Sequence, residues 1–437
     1  MTITNFKKLA KTPLRKKALE IAEAGYEAIN IGKAVNEKFV LKNGVLTVED
    51  DSKSKTKINF NDFKNVYFVG VGKGSALGAA AIAKILGKYL TKGISLDVVN
   101  FKSNSPKLAI IKGTHPLASA KNVSATAKII KLAKQAKKDD LVIVFVCGGG
   151  SALLCGSKSE LKHNLAATKL LTAAGADILE LNTVRKHVSQ IKAGNLAKLI
   201  YPATAVSLIV SDVVGNGMSM IASGPTVKDK TTKKDAERVL KKYRIDPKRF
   251  GLIETPKDDK YFKHIRNILF VSNKTAVLAM AQKARELKLK PKIKSLALKG
   301  EARKIFDVLA GKSQKRGVEV VLAAGETTVR IKTGVKTGKG GRNQESVLSF
   351  ISYLNNNKRL KSWPVFVSFA SDSHDNTEAA GAVGDYLTVK KAVKLGLNPW
   401  QFLGRHDSFN FFKKTGDLIF AKKECFNVAD LMIFIAD

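Results

Sequence analysis

Along this chain, clusters of glycine recur with a single lysine, arginine or aspartate set directly beside them. The segment Gly70-Val71-Gly72-Lys73-Gly74-Ser75 follows a β-branched run. Gly72, Gly74 and Ser75 are small enough for backbone N–H groups to approach an anion where a helix begins, and Lys73 adds a point charge. Its spacing is neither that of a P-loop nor the full dinucleotide fingerprint, and a plain strand-to-helix turn with an exposed lysine is the competing reading. Gly148-Gly149-Gly150-Ser151 comes after the most apolar run. Three consecutive glycines cost chain entropy and suit a backbone nest for phosphate or carboxylate. Ser151 does not sit in a G-x-S-x-G elbow, so a hydrolase nucleophile is not indicated.

His115, beside Pro116, is either a structural loop residue or a catalyst, and without a partner group the loop residue is the stronger reading. The stretch Asn182-Thr183-Val184-Arg185-Lys186-His187, continuing to Lys192, puts Arg185, Ser189 and Lys192 near one helical face, which serves either solvent or an anion. Asp212 follows a further apolar run. An aspartate at the carboxyl end of a buried strand suits a general base or a Mg²⁺ contact, or caps the next turn. Ser223 lies in the loop beyond. Near the C-terminus come Glu326, then Gly340-Gly341-Arg342-Asn343 opening a helix, then Ser371-Asp372-Ser373-His374. Glycine loops with lysine, arginine and carboxylates are the parts that phosphoryl transfer needs: positioning, a divalent metal, charge neutralisation and a base for the acceptor hydroxyl.

Elements that could hold such loops are legible. Val66–Val71, Leu141–Val146, Ala205–Val210, Ile268–Val271, Val318–Leu322 and Trp363–Phe369 predict buried strands. Ala76–Tyr89, Val123–Lys137 and Asp235–Tyr243 predict helices. This alternation indicates an α/β protein with largely parallel sheets, whose ligands sit at the carboxyl ends of the strands. The turn-rich stretch Ala310–Val318 predicts a domain division, giving residues 1–311 and 312–437.

The 437 residues carry 76 Lys+Arg against 37 Asp+Glu, a formal charge of +39. Such a balance suggests a polyanion, but 63 of the 76 are lysine, aromatics are only 7%, and arginine clusters are missing, so a lysine-rich solvated surface is the stronger reading. Three cysteines without metal-ligand spacing argue against both a disulfide framework and structural zinc. No apolar run approaches a membrane span, and the basic first 19 residues lack a secretory core, predicting a solvated first helix and a soluble, cytoplasmic protein.

In order and in combination, the strings VGVGKGSA, GTHPLAS, CGGGSALL, LNTVRKHVSQIKAGNLA, IVSDVVGNGMSMIASGPTV, AGETTVRIKTGVKTGKGGRNQE, DSHDNTEAAGA and NVADLMIFI resemble the glycerate 2-kinase family with its C-terminal MOFRL domain. The resemblance covers nearly the whole chain. It implies two α/β domains, a Rossmann-like N-terminal one and a smaller MOFRL-type one, with the active site in the cleft between them. It implies ATP-dependent, Mg²⁺-dependent phosphorylation of D-glycerate to 2-phosphoglycerate by a monomer or homodimer, with small-molecule partners, no membrane and no specific nucleic acid. Matched by motif, Lys73, Asp212 and Arg342 are the catalytic set, with Asp212 also a metal contact. Gly72, Gly74, Ser75, His115, Gly148, Gly149, Gly150, Ser151, Asn182, Arg185, Lys192, Ser223, Glu326, Gly340, Gly341, Asn343 and Asp372 are the substrate and ATP contacts. The chain departs from the family pattern at Ser371–His374 and at Ala421–Phe426, where charge and an aromatic replace a polar glycine turn. The alternatives are a kinase for a related sugar acid and a basic nucleic-acid-binding protein.

Overall fold

The apolar runs do form strands, and the Ala-, Leu- and Lys-rich stretches between them form helices. The structure is a computed structural model that describes residues 1–310, 319–331, 334, 336–356 and 364–436. Its contacts divide the chain into two units, Ala34–Val271 on one side and Met1–Lys33 with Ser272–Asp437 on the other. The joint expected at 311–318 lies outside the described residues, as do Val318 and Trp363 of two predicted strands.

The Ala34–Val271 unit contains nine strands: β1 (Phe39–Lys42), β2 (Val45–Glu49), β3 (Lys55–Asn59), β4 (Asn65–Val71), β5 (Leu90–Asp97), β6 (Leu108–Lys112), β7 (Asp140–Val146), β8 (Thr204–Val210) and β9 (Ile265–Val271). The first three make a small antiparallel sheet that the sequence did not suggest. The other six form a sheet in the order β6-β5-β4-β7-β8-β9 with every neighbour parallel. Counted from β4, that is the 3-2-1-4-5-6 order of doubly wound nucleotide-binding folds.

β7 is buried at every position, which is why its sequence is a continuous apolar run rather than an alternation. Val142, Val144 and Val146 pack with Ile129 and Leu132 of helix Ala120–Gln135. Phe145 points to the opposite face, where a Cβ on Gly78 of helix Ser75–Leu86 would come within 2.3 Å of its ring. Each such side chain contributes about 1.5–3 kcal/mol on burial. The strand order reverses between β4 and β7, so the loops leaving those two strands flank a crevice.

The charged stretch after residue 226 carries helix Lys233–Lys242, started by a Thr232/Asp235 capping box. It is fastened by a Lys186–Asp229 ion pair at 3.0 Å and by His187, whose Nδ1 donates to the Ile253 carbonyl at 2.9 Å. Lys186 and His187 therefore do structural work.

The other unit holds β10 (Lys290–Leu298), β11 (Glu319–Gly325), β12 (Val365–Ala370), β13 (Gly381–Gly384), β14 (Leu418–Ile419) and β15 (Asp430–Ala436). Their order is β10-β11-β15-β12-β13-β14. Only β10 and β11 pair in parallel; the remaining pairs are antiparallel. The expectation of largely parallel sheets is therefore corrected here to a mixed sheet, because β15 returns from the chain end to insert between β11 and β12. Helix Arg342–Asn356 covers one face, where Phe350 meets Phe366 and Phe434 edge-on at 5.8 and 6.1 Å.

Helices Pro13–Ala28 and Asn273–Glu286 cover the opposite face, and the Tyr26 hydroxyl donates to the Ala370 carbonyl at 2.9 Å. The solvated first helix is thus also corrected. Leu19, Ile21 and Ala22 are core residues, and fully buried Arg15 donates to Asp417 at 2.7 Å and, through Nε, to Asp385 at 2.9 Å. Phe426, part of the altered turn, is likewise a core residue. No helix among the described residues is long and apolar enough to cross a membrane.

Candidate active site

At the switch point of the parallel sheet, the turns after β4, β7 and β8 interlock. Gly72 has φ +114°, and a Cβ there would lie 2.3 Å from the Cys147 carbonyl oxygen, so the two loops touch through backbone that only glycine permits. The next amide, of Lys73, donates to the Gly148 carbonyl at 2.8 Å. Asp212, half-buried beyond the end of β8, presses its carboxylate on Gly148, where a Cβ would lie 2.0 Å from Oδ2. On the other side of Gly149, a Cβ would sit 3.3 Å from both His115 Nε2 and Lys73 Cγ. Lys73, Gly148, Gly149, Asp212 and His115 are therefore brought together by four separate strand ends. Lys73 remains exposed, while Gly74 caps helix Ser75–Leu86 in a left-handed conformation.

Next to this crossing lies a cavity of about 310 Å³ whose wall includes His115, Gly149, Ser151, Asn164 and Arg185. Arg185 projects from helix Ile178–His187. Its Nε donates to Asn164 Oδ1 at 3.0 Å and its Nη2 to the Ser151 carbonyl at 3.2 Å. Both acceptors are neutral. Burial lowers the guanidinium pKa with no carboxylate to offset it. A desolvated cation without a counter-ion is a place for an anion. Burial, then Lys73 and Arg185, also lowers the His115 pKa. Ser151 and Ser223 share a hydroxyl hydrogen bond at 2.8 Å, and Gly150 packs on Ala222, tying the glycine loop to the Ala222-Ser223-Gly224 turn.

Some residues that the sequence points to are turned elsewhere. Lys192 is fully buried and ion-paired with Glu160 at 3.2 Å; burial lowers its pKa while Glu160 opposes. Ser75 is buried, donating to the Leu96 carbonyl at 3.2 Å and accepting from Ser95. Asn182 shares the Arg185 helix and is 8% exposed. Asn164, which holds Arg185, and Asp97 carry no sequence signal beyond their type. Asp97 ends β5 and receives the Ala76 amide at 2.8 Å, anchoring the helix that follows the Lys73 loop; burial raises its pKa against these amides.

The mixed-sheet unit, described by itself, builds a second cluster around Arg342. Its Nε donates to Asp430 Oδ2 at 2.6 Å and its Nη2 to Oδ1 at 3.2 Å, a bidentate pair, while Nη1 donates to Glu326 at 2.6 Å. Burial alone would lower the guanidinium pKa; Asp430 and then Glu326 outweigh it and raise it. Burial pushes the Asp430 carboxyl up to about 7 despite Arg342, and Asp375 adds to the rise.

Buried Asp375 accepts from the Asn343 and Gln344 amides at 3.2 and 2.9 Å and so pins the start of the Arg342 helix. Gly341 must be glycine, since a Cβ would fall 2.0 Å from the Asp375 carbonyl oxygen, and a Cβ on Gly340 would lie 2.3 Å from the Ser408 hydroxyl. Asn343 is buried between Asp375 and Ser368. Asp372, half-buried, accepts from the His374 amide at 3.2 Å. A cavity of about 580 Å³ adjoins Arg342, Gly340, Gly341 and the Glu345–His406 pair. Asp430 is the fourth residue of the NVADLMIFI string and the first of β15, and an aspartate at the head of an apolar strand was the signal available for it.

A divalent cation that travels with nucleotide phosphates takes one or two protein carboxylates. Among the described residues no group of three or more His, Cys, Asp or Glu could cage a metal. Asp212, held at the Gly148 loop, is a carboxylate that fits the lighter requirement.

A family model described as "Domain of unknown function (DUF4147)" matches residues 17–253, and one described as "MOFRL family" matches residues 319–430. The chain is 33% identical to a glycerate 2-kinase of Pyrococcus horikoshii over 96% of its own length and 98% of that chain. It is 36% identical to an Agrobacterium vitis protein named provisionally as a hydroxypyruvate reductase, over 83% and 85% of the two chains. The crystal structure of a glycerate kinase from Thermotoga maritima superposes with a TM-score of 0.84 at 30% identity, covering 97% of this chain and 99% of that one.

Proposed function

The chain belongs to the glycerate 2-kinase family, and from that membership we propose that it transfers the γ-phosphoryl group of ATP to D-glycerate, forming 2-phosphoglycerate and ADP. The observation that carries this reading is the crossing at the switch point. There Lys73, a glycine nest and the Asp212 carboxylate converge within hydrogen-bonded reach of one loop.

The roles follow from charge type. Lys73 neutralises charge on the transferring phosphoryl oxygens, and the amides of the Gly148–Gly150 loop orient the nucleotide phosphates. Asp212 accepts the proton of the attacking hydroxyl, or holds Mg²⁺, which supplies charge neutralisation across the phosphates when bound. Arg342, the third residue matched by motif, is held in one orientation by Asp430 within its own unit.

Hydroxypyruvate reduction, the reaction in one relative's name, would call for hydride transfer. The sheet order suits a dinucleotide, yet such sites use a free acid at the end of the second strand for the ribose. Asp97 holds that position with its carboxylate spent on the Ala76 and Val98 amides, buried to 0% exposure. That favours the kinase. A coupled ADP-release assay with ATP and Mg²⁺ across small hydroxy acids tests the proposal. D-glycerate is expected to give the highest kcat/KM; a protein that releases no ADP with any acid would sink it.

A further inference from the structure

The cavity beside the glycine nest contains a charge that the protein itself leaves unanswered. Arg185 meets two neutral oxygens, Asn164 Oδ1 and the Ser151 carbonyl, and among the described residues no carboxylate lies within ion-pair distance of it. The acid in the neighbourhood, Glu160, is committed to Lys192 Nζ and to the Gly156 and Gln190 amides. Asn164, only 4% exposed, orients the guanidinium through its Nε. Two contacts use two of its five N–H groups, and Nη1 contributes to neither. The remaining donors form a planar fork of the kind that grips a carboxylate through two parallel bonds.

Size narrows the ligand. About 310 Å³ is at the bottom of the 300–1,000 Å³ range of ligand sites, suited to a small acid rather than a whole nucleotide. Position narrows it further. Ser151 is three residues from Gly148, at most roughly 10 Å along the chain, and Gly148 is where Asp212 rests. Lys73 and His115 flank Gly149 between them. An acid seated on Arg185 therefore lies against the same short loop on which the proposed base rests.

We infer that this cavity is the subsite for the acceptor's carboxylate, with Arg185 as its anchor and Asn164 as the positioning residue behind it. The inference rests on the kinase reading for the identity of the acid and on the cavity for the charge. It also separates the roles of the cations: Lys73 faces phosphate, Arg185 faces the acid.

The test compares D-glycerate with glyceramide, its uncharged amide, in wild type and Arg185→Met, alongside calorimetric titration of D-glycerate alone. Losing a bidentate charge-assisted pair is expected to raise KM for D-glycerate about 100-fold, leave KM for ATP within about threefold, and reduce the preference for acid over amide to near unity. Arg185→Lys, which keeps the charge without the fork, is expected to fall between. Leu165→Phe narrows the cavity without touching charge, and should raise KM for D-glycerate about tenfold. A rise in KM for ATP instead, an unchanged acid-to-amide preference, or absence of D-glycerate binding to wild type would each overturn the subsite. Wild type that binds D-glycerate and releases no ADP would overturn the kinase reading alone, and loss of that binding in Arg185→Met would uphold the subsite.

Discussion

Arg185 and Arg342 are the same residue type in opposite electrostatic settings. Arg185, in the parallel-sheet unit, is half-buried against neutral oxygens, and desolvation lowers its pKa unopposed. Arg342, in the mixed-sheet unit, is clamped by Asp430 and Glu326, whose charges overcome desolvation and raise its pKa. The first cation has only neutral acceptors; the second is already paired with two carboxylates and must share itself with any ligand. One consequence concerns where stability resides. Removing one member of the Arg342–Asp430 pair strands a buried charge, whereas Arg185 carries its charge with no carboxylate to strand.

The largest expected effects lie at the crossing. Lys73→Ala and Asp212→Ala should each lower kcat by about 10²–10⁴-fold with unchanged melting, as measured by steady-state kinetics beside thermal denaturation.

Next is a contrast in stability. Arg342→Ala leaves buried Asp430 without its bidentate partner and should cost about 3–5 kcal/mol at pH 8, whereas Arg185→Met should change stability by less than about 1 kcal/mol in either direction. The pH sharpens it. The Asp430 carboxyl is raised from 3.8 to about 7, so the folded state keeps a proton that the unfolded chain releases between these values. Its contribution is complete below about pH 4 and is lost as pH rises through about 7. Arg342→Ala should therefore destabilise less at pH 5, where Asp430 is protonated, than at pH 8; chemical denaturation at the two values reads this directly. An equal cost at both would show that Asp430 is ionised throughout.

The smallest effect is that of Glu326→Gln. This removes an ion pair whose carboxylate side chain is 50% exposed, worth about 0–1 kcal/mol. The amide oxygen still accepts from Nη1 of Arg342, so only the charge is lost, and chemical denaturation should show a change of that size or less.

The two units also differ in how much of them the sequence disclosed. The six parallel strands are buried on both faces, so Leu141–Val146 and its neighbours stand out as unbroken apolar runs, and the loops after them hold the residues the motifs single out. The mixed sheet was harder to read because β15 joins from the chain end, and antiparallel insertion leaves no mark on local periodicity. Residues that act through others were hidden for the same reason. Asn164 becomes meaningful only when helix Lys158–Ala173 brings it to Arg185, and Asp97 only when β5 meets the next helix. Lys192 illustrates the converse. It lies in a motif with Arg185 and offers a second cation in sequence, but folding buries it against Glu160.

The central claim is that the groups gathered at the Gly148 loop move a phosphoryl group onto D-glycerate, and ³¹P NMR of the reaction mixture tests it most directly. With ATP, Mg²⁺ and D-glycerate, wild type should produce ADP and the resonance of 2-phosphoglycerate in equal amounts, and Asp212→Ala should produce neither at a comparable rate. A 3-phosphoglycerate resonance, no phosphoester at all, or full product formation by Asp212→Ala would contradict the account.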